Sequence, residues 1–146
     1  MTAPLVLGVT HSGLTVADLD DAIALWCSEL GFALERTFAL DTQTTVATTG
    51  VSGATIRGAV VDLGGQKIEL LQYDPPRPAP ESISPAHIGM IHIALTVSNL
   101  ERSIGLFAEH GWVPVGTPHQ MVSGVREGTR IVYLNLQSRE LQRREA

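Results

Sequence analysis

The feature that most constrains the fold is a sixteen-residue segment that occurs twice. Residues 11–26 read HSGLTVADLDDAIALW, and residues 92–107 read HIALTVSNLERSIGLF, eighty-one positions later. Seven of the sixteen positions are identical, and most of the others exchange similar side chains. In a chain of 146 residues, such a repeat predicts two modules of similar structure within one domain.

Each copy predicts a strand followed by a helix. In the first copy LVLGVTHSGLTV is typical of a strand, and ADLDDAIALWCSELG has the spacing of an amphipathic helix. Asp18 is suited to cap this helix and Gly31 to end it. The second copy has MIHIALTV as its strand, with Asn99 as cap and Gly111 as terminator. The predicted apolar face of the first helix consists of Leu19, Ile23, Trp26 and Leu30.

Further extended segments complete each module. FALERTFALD, ATIRGAVVDL and QKIELLQY are rich in strand-forming residues, and a Gly-Gly turn separates the last two. The first module, at about 5–73, is therefore predicted as βαβββ. The segment at about 74–87 holds five prolines, which disfavour a helix or a central strand, so we interpret it as a linker. The second module, at about 88–142, contains WVPVG and TRIVYLNL after its helix and is shorter.

The histidine that opens each copy is predicted to face away from the helix. Side chains alternate between the two faces of a strand, so Leu14 and Val16 would face the helix and His11 the other side. The same alternation places His92 on the side away from its helix. In KIELLQ it places Glu69 on that side too. A carboxylate on the inner surface of a curved sheet is costly unless it is paired or bound to a cation.

Two imidazoles and a carboxylate in one concavity are typical ligands of a divalent metal. Nitrogen and oxygen donors suit zinc, iron, nickel, cobalt or manganese. A histidine met singly on a strand is more often hydrogen-bonded or exposed. Because the residue recurs at the same place in a duplicated strand, we favour a symmetric metal site over that alternative.

Composition excludes several classes of function. The net charge of −5 and the scattered basic residues argue against a nucleic-acid partner. The single cysteine, Cys27, excludes an internal disulfide. No apolar stretch approaches the roughly 20 residues that span a bilayer, and the N-terminus MTAPLVLGV does not resemble a signal peptide. We therefore expect a cytoplasmic protein without a membrane partner.

The tandem βαβββ plan, the H-x-x-L-T-V-x-D/N-L openings and the IELLQY strand end resemble the vicinal oxygen chelate superfamily. This group includes glyoxalase I, methylmalonyl-CoA epimerase, extradiol dioxygenases, and fosfomycin and bleomycin resistance proteins. The resemblance implies an α+β fold whose two modules form a curved, barrel-like mixed sheet with a concave metal and substrate site. It also implies one divalent metal ion, a small-molecule substrate and a homodimer. The ligands that it implies are His11, Glu69, His92 and Glu140.

Glu140 is the position at which the repeat weakens. It matches Glu69 when AVVDLGGQKIELL is aligned with RIVYLNLQSRELQ, but Arg139 then occupies the apolar place of Ile68. No Gly-Gly or Asp-Gly turn precedes it. The alternative is that SRELQRREA is a polar tail, which would leave two histidines and one glutamate, a set that also resembles the facial triad of iron oxygenases.

The resemblance implies lyase or isomerase chemistry through a metal-stabilised enolate. A metal that binds a carbonyl oxygen stabilises the enolate formed when the α-proton leaves. Glu140, or Glu69 after ligand exchange, is the base that the family's pattern implies. The middle strand region DTQTTVATTG carries threonines and no second glutamate, so two-base epimerisation is not favoured. The alternatives are a metal-free protein that binds a small molecule such as an antibiotic, and a non-haem iron dioxygenase.

Overall fold

The computed structural model describes residues 3–78 and 83–136. The chain forms two compact units, Met1–Pro78 and Ala79–Ala146. The division falls inside the proline-rich segment of the sequence, while the predicted bounds of the two modules stay predictions. Within the described ranges, no helix is long and apolar enough to cross a membrane.

The first unit is a four-stranded mixed sheet with helices. In chain order the elements are β1 (Ser12–Thr15), α1 (Leu19–Ile23), β2 (Ala33–Leu40), α2 (Thr42–Thr49), β3 (Thr55–Leu63) and β4 (Gln66–Asp74). A π-helical segment, Ala24–Glu29, directly continues α1. The sheet has the order β1-β4-β3-β2, in which β1 runs parallel to β4 and the other neighbours are antiparallel.

Helix α1 begins where the sequence predicts it. Asp18 caps it, because its Oδ1 accepts a hydrogen bond from the Asp21 amide at 3.0 Å. The buried face differs from the prediction, since Ile23 and Leu30 are only half-buried. In the π-helical segment the Leu30 amide donates to the Leu25 carbonyl at 2.9 Å. This i to i−5 hydrogen bond widens the turn, so the residues that follow point in directions other than those that regular α-helical spacing predicts. The buried side chains are Leu19, Ala22, Leu25 and Trp26.

The β3–β4 hairpin supplies six of the thirteen buried hydrophobic residues described in the first unit. Its turn is the predicted Gly64–Gly65 pair, and both glycines adopt positive φ (59° and 88°), as a two-residue hairpin turn requires. Val61 pairs with Ile68 and Ala59 with Leu70 on the face that α1 covers. Burying a side chain such as Leu70 contributes about 1.5–3 kcal/mol, so these pairs hold the sheet against the helix.

Residues 41–50 form a helix and not the predicted strand region. The carboxylate of Asp41 accepts the Thr44 amide at 2.7 Å and so caps α2. Gly50 ends α2 with a φ of 76°, a left-handed conformation that glycine adopts without steric cost. The observed plan of the first unit is therefore βαβαββ, and the sequence prediction of this segment was wrong.

The second unit contains one helix and two short ladders. The helix α3 (Leu100–Glu109) is capped as predicted, with the Asn99 side chain accepting the Arg102 amide at 3.0 Å. The strands are β5 (Trp112–Pro114), β6 (His119–Gln120), β7 (Arg130–Ile131) and β8 (Leu134–Leu136), and they pair as β5-β8 and β6-β7. Residues 91–97, predicted as a strand, have no regular secondary structure.

The architecture confirms the predicted class and corrects its form. The protein is an α+β fold with a mixed sheet and few helices. The predicted barrel-like sheet is not formed, because the described strands make one four-stranded sheet and two separate two-stranded ladders. The predicted repetition of βαβββ in the second unit stays a prediction.

Candidate metal centre

His11 and Glu69 lie side by side on the sheet face that α1 does not cover. His11 directly precedes β1, and Gly13 pairs with Glu69 across the parallel β1–β4 ladder. Since His11 and Gly13 are two positions apart, their side-chain directions coincide. The His11 Nε2 atom is 3.5 Å from Glu69 Oε2. The two predicted ligands in the first unit are thus close enough to share a small cation.

The Glu69 carboxylate is mostly shielded from solvent, and its ion-pair partner among the residues that the structure describes is His11. Its side chain is 18% exposed, against 39% for His11. Lys67 lies two residues earlier on the same face, but its ammonium binds both Glu35 oxygens, at 2.7 and 2.8 Å. Glu69 is therefore a half-buried carboxylate whose described ion-pair partner is an imidazole. Such a carboxylate is suited to accept a metal ion.

There is room for a ligand beside these side chains. Gly13 presents no side chain, and no atom lies within 4 Å of the position that a Cβ would occupy. A small polar pocket of about 200 Å³ is lined by residues 9–12 and 65–67. A water molecule occupies about 30 Å³, so this pocket can hold several waters or a small polar group next to the imidazole.

His92 belongs to the second unit and contacts an aromatic ring there. It lies in the irregular segment that precedes α3 and is exposed. Its ring centroid is 5.1 Å from that of Tyr133, with 56° between the planes. The sequence prediction did not single out Tyr133. The only signal in the sequence was its position. In the repeat alignment Tyr133 corresponds to Asp62 and directly follows the matched pair Val61 and Val132.

The four-ligand set stays a prediction. His11 and Glu69 are brought together within the first unit, His92 lies in the second, and Glu140 lies outside the described residues. Across 3–78 and 83–136, no group of three or more His, Cys, Asp or Glu side chains is placed to hold a metal ion. The donors that are in contact, one imidazole nitrogen and one carboxylate oxygen, have the chemistry that zinc and similar divalent ions accept.

Two arginines form ion pairs with acidic side chains of their own unit. Arg57 donates to Asp20 at 3.3 Å, which ties β3 to the start of α1. Arg130 pairs with Glu101 and so ties β7 to α3. Cys27 is half-buried, and burial raises the pKa of its thiol, which disfavours the nucleophilic thiolate.

Comparisons with known proteins agree with the α+β fold. Residues 10–133 match the family model of the glyoxalase/bleomycin resistance protein/dioxygenase superfamily. No curated protein shows significant similarity to the chain. The fold and the match define the class as glyoxalase-like. The chain belongs to the glyoxalase/bleomycin resistance protein/dioxygenase superfamily, as the repeat predicts.

Solved structures support the same fold. A glyoxalase family protein from Bacillus cereus is 22% identical, covers 92% of this chain and 89% of its own, and superposes with a TM-score of 0.67. A glyoxalase family protein from Enterococcus faecalis is 16% identical, covers 88% of each chain, and gives a TM-score of 0.56. At these identities the likeness concerns the fold alone.

Proposed function

We propose that the protein is a metal-dependent lyase or isomerase that acts on a small carbonyl or thioester substrate by proton abstraction. The observation that carries the proposal is the contact between His11 and Glu69 on the sheet face that α1 does not cover. Membership of the superfamily supports it at the level of the family. A metal-free binding protein has no evident need for a half-buried carboxylate beside an imidazole.

The proposed ligands are those that the sequence predicts. His11, Glu69 and His92 would hold one divalent ion, with Glu140 as the fourth ligand. When bound, the ion would act as a Lewis acid on a carbonyl oxygen of the substrate.

The chain's own residues would position the substrate and move the proton. Gly13, which pairs with Glu69, has no side chain, and no atom lies within 4 Å of the position that its Cβ would occupy, which leaves room for a substrate group there. Glu140 is proposed to take and return the α-proton, with Glu69 as the alternative base. The Lys67–Glu35 ion pair keeps the ammonium away from Glu69, so that the carboxylate stays available.

Metal analysis tests the proposed site. Protein purified without chelator should carry about one divalent ion per site, and His11→Ala and His92→Ala should lose it. His87→Ala is the matched control, because His87 is engaged in a local turn, with its Nδ1 accepting the Ser84 amide at 3.0 Å. Wild type without stoichiometric metal, or both site variants retaining it, would contradict the proposal.

The nature of the metal and its reaction separate the candidate functions. A non-redox ion together with solvent deuterium entering the α-position of hemithioacetals or thioesters supports the lyase or isomerase. Redox-active iron with oxygen uptake supports the dioxygenase. Protein that lacks metal but binds a small molecule supports the binding function.

We also propose that the protein acts as a cytoplasmic homodimer. Exposed apolar side chains near the N-terminus, including Leu5 and Leu7, support self-association, because contiguous apolar surface is uncommon on monomers. Sedimentation equilibrium should give twice the mass of 15.6 kDa. A concentration-independent monomer would exclude the dimer.

A further inference from the structure

An open groove in the second unit has no role in the proposed metal site. Its volume is about 620 Å³, within the range of roughly 300–1,000 Å³ that small-molecule sites occupy. Its apolar walls come from the segment before α3, from the loop after β5 and from the β6–β7 region. The apolar side chains are those of Ile83, Pro85, Val115, Met121, Ile131 and Val132.

The groove carries no formal charge. Among the described residues that line it there is no aspartate, glutamate, lysine or arginine. Its polar residues include His119, Ser84 and Tyr133. A charged ligand would lose its hydration there without gaining a counter-charge, which is costly. An uncharged ligand would lose little and could use these few polar groups for orientation.

Tyr133 connects the groove to His92. It lines the groove, and its ring also lies 5.1 Å from the His92 ring. A molecule in the groove is therefore next to the aromatic ring that contacts a proposed metal ligand.

We propose that this groove binds the uncharged, mainly apolar part of the substrate, an acyl or aryl group, while the substrate's oxygens lie toward His92. The inference rests on the proposed function for the role of His92. It adds the class of substrate, since a compound whose remote part is anionic would be rejected by the uncharged walls.

A neutral probe tests the groove without knowledge of the substrate. N-phenyl-1-naphthylamine is an uncharged aromatic fluorophore, and 1-anilinonaphthalene-8-sulfonate is an anionic compound of similar size. We expect saturable binding of the neutral probe with one site per chain and binding of the anionic probe weaker by about tenfold or more, which corresponds to about 1.4 kcal/mol.

Two tryptophan substitutions locate the binding. Val115→Trp should fill the groove and weaken binding of the neutral probe by about tenfold or more, because Val115 is half-exposed and lines the groove. Val125→Trp is the matched control, because Val125 is fully exposed on a loop outside the groove, and it should bind the probe as wild type does.

The outcomes separate this inference from the proposed function. Two results together support both the groove proposal and the proposed function. Val115→Trp should keep its metal and lose the probe, whereas His92→Ala should lose its metal and keep the probe. Absence of saturable binding, equal binding of the two probes, or full binding by Val115→Trp overturns the groove proposal. Wild type that binds the probe but no metal overturns the link to His92. A change of oligomeric state in Val115→Trp, seen by sedimentation, overturns the proposal in favour of a contact between two copies.

Discussion

Glu69 is the residue on which the candidate metal site depends. The sequence predicts its face from strand alternation, and the structure places it 3.5 Å from His11. Alternation could not predict that Lys67, on the same face, binds Glu35. Glu35 lies at the bulge between Leu34 and Arg36 in β2, where the strand register shifts, and alternation along a single strand does not predict such a shift.

Substitution of Glu69 should separate metal binding from folding. Glu69→Gln should weaken metal affinity by at least about tenfold, the size seen even for groups that only orient a ligand. Stability should not fall, because the change removes a half-buried charge. Metal titration and urea unfolding measure the two effects. Glu29→Gln, at an exposed position, should change neither, and metal affinity unchanged in Glu69→Gln would argue against the ligand role.

Thr45 is a buried residue with an unsatisfied hydroxyl. Its side chain is 0% exposed, and its Oγ1 has no hydrogen-bond partner among the described residues. Thr45→Val keeps the shape and removes the buried polar atom, so the free energy of unfolding should rise by about 1 kcal/mol. Urea denaturation measures the change.

Thr48 provides the matched control for Thr45 on the same helix. Its hydroxyl donates to the Thr44 carbonyl at 2.8 Å, so Thr48→Val removes a satisfied group and should give no gain. If both valine variants are stabilised equally, the gain in the free energy of unfolding comes from the intrinsic conformational propensity of valine and not from removal of the buried Thr45 hydroxyl.

Among the elements, α2 replaces the middle strand region predicted at residues 41–50. Five of these residues are threonines, whose β-branched side chains favour strands. The segment also carries two helix signals, Asp41 as an N-cap and Gly50 as a C-terminal glycine. These end signals, together with the packing of α2 against β3, outweigh intrinsic propensity.

The cap of α2 should make stability depend on pH. Hydrogen bonds from the Thr44 amide and then its side chain hold the pKa of Asp41 below its ordinary value. A carboxyl group whose pKa is lower in the folded state stabilises the fold above its unfolded pKa, near 3.9. This contribution is lost as the pH falls through the folded pKa.

Two variants isolate the charge of Asp41 from its capping geometry. Asp41→Asn keeps an acceptor but no charge, so the wild type should be more stable at pH 7 and the difference should vanish at acid pH. Asp41→Ala should be less stable than Asp41→Asn at every pH, because it lacks the acceptor. Urea midpoints between pH 7 and pH 2 measure this. A constant difference between wild type and Asp41→Asn would contradict a titrating cap.

Over the whole molecule, the buried core is unequally divided. Of fourteen buried hydrophobic residues described, thirteen lie in the first unit, and Phe107 is the one in the second. The predicted second strand, residues 91–97, has no ladder, and Ile91 is 75% exposed. The second copy of the repeat therefore reproduces the helix and its cap without the strand that begins the first copy.

Hydrogen exchange should follow this division. We expect the slowest amides in β3 and β4, which are hydrogen-bonded to neighbours along their lengths, and fast exchange in residues 91–97. Exchange followed by peptide mass spectrometry can compare peptides covering 66–74 and 91–97. Equal protection of the two peptides would show that the strand predicted from the repeat forms in solution.

The sequence by itself determined the family, the α+β class, the caps at Asp18 and Asn99, the glycine turn of the hairpin and the shared face of His11 and Glu69. These features depend on contacts between residues a few positions apart, or on the strict alternation of a strand, so a local pattern specifies them. Only the tertiary structure decided which of the conflicting local signals at 42–49 prevails, the phase of the first helix and the partner of Lys67. Those depend on packing and register between distant segments, which no local pattern contains.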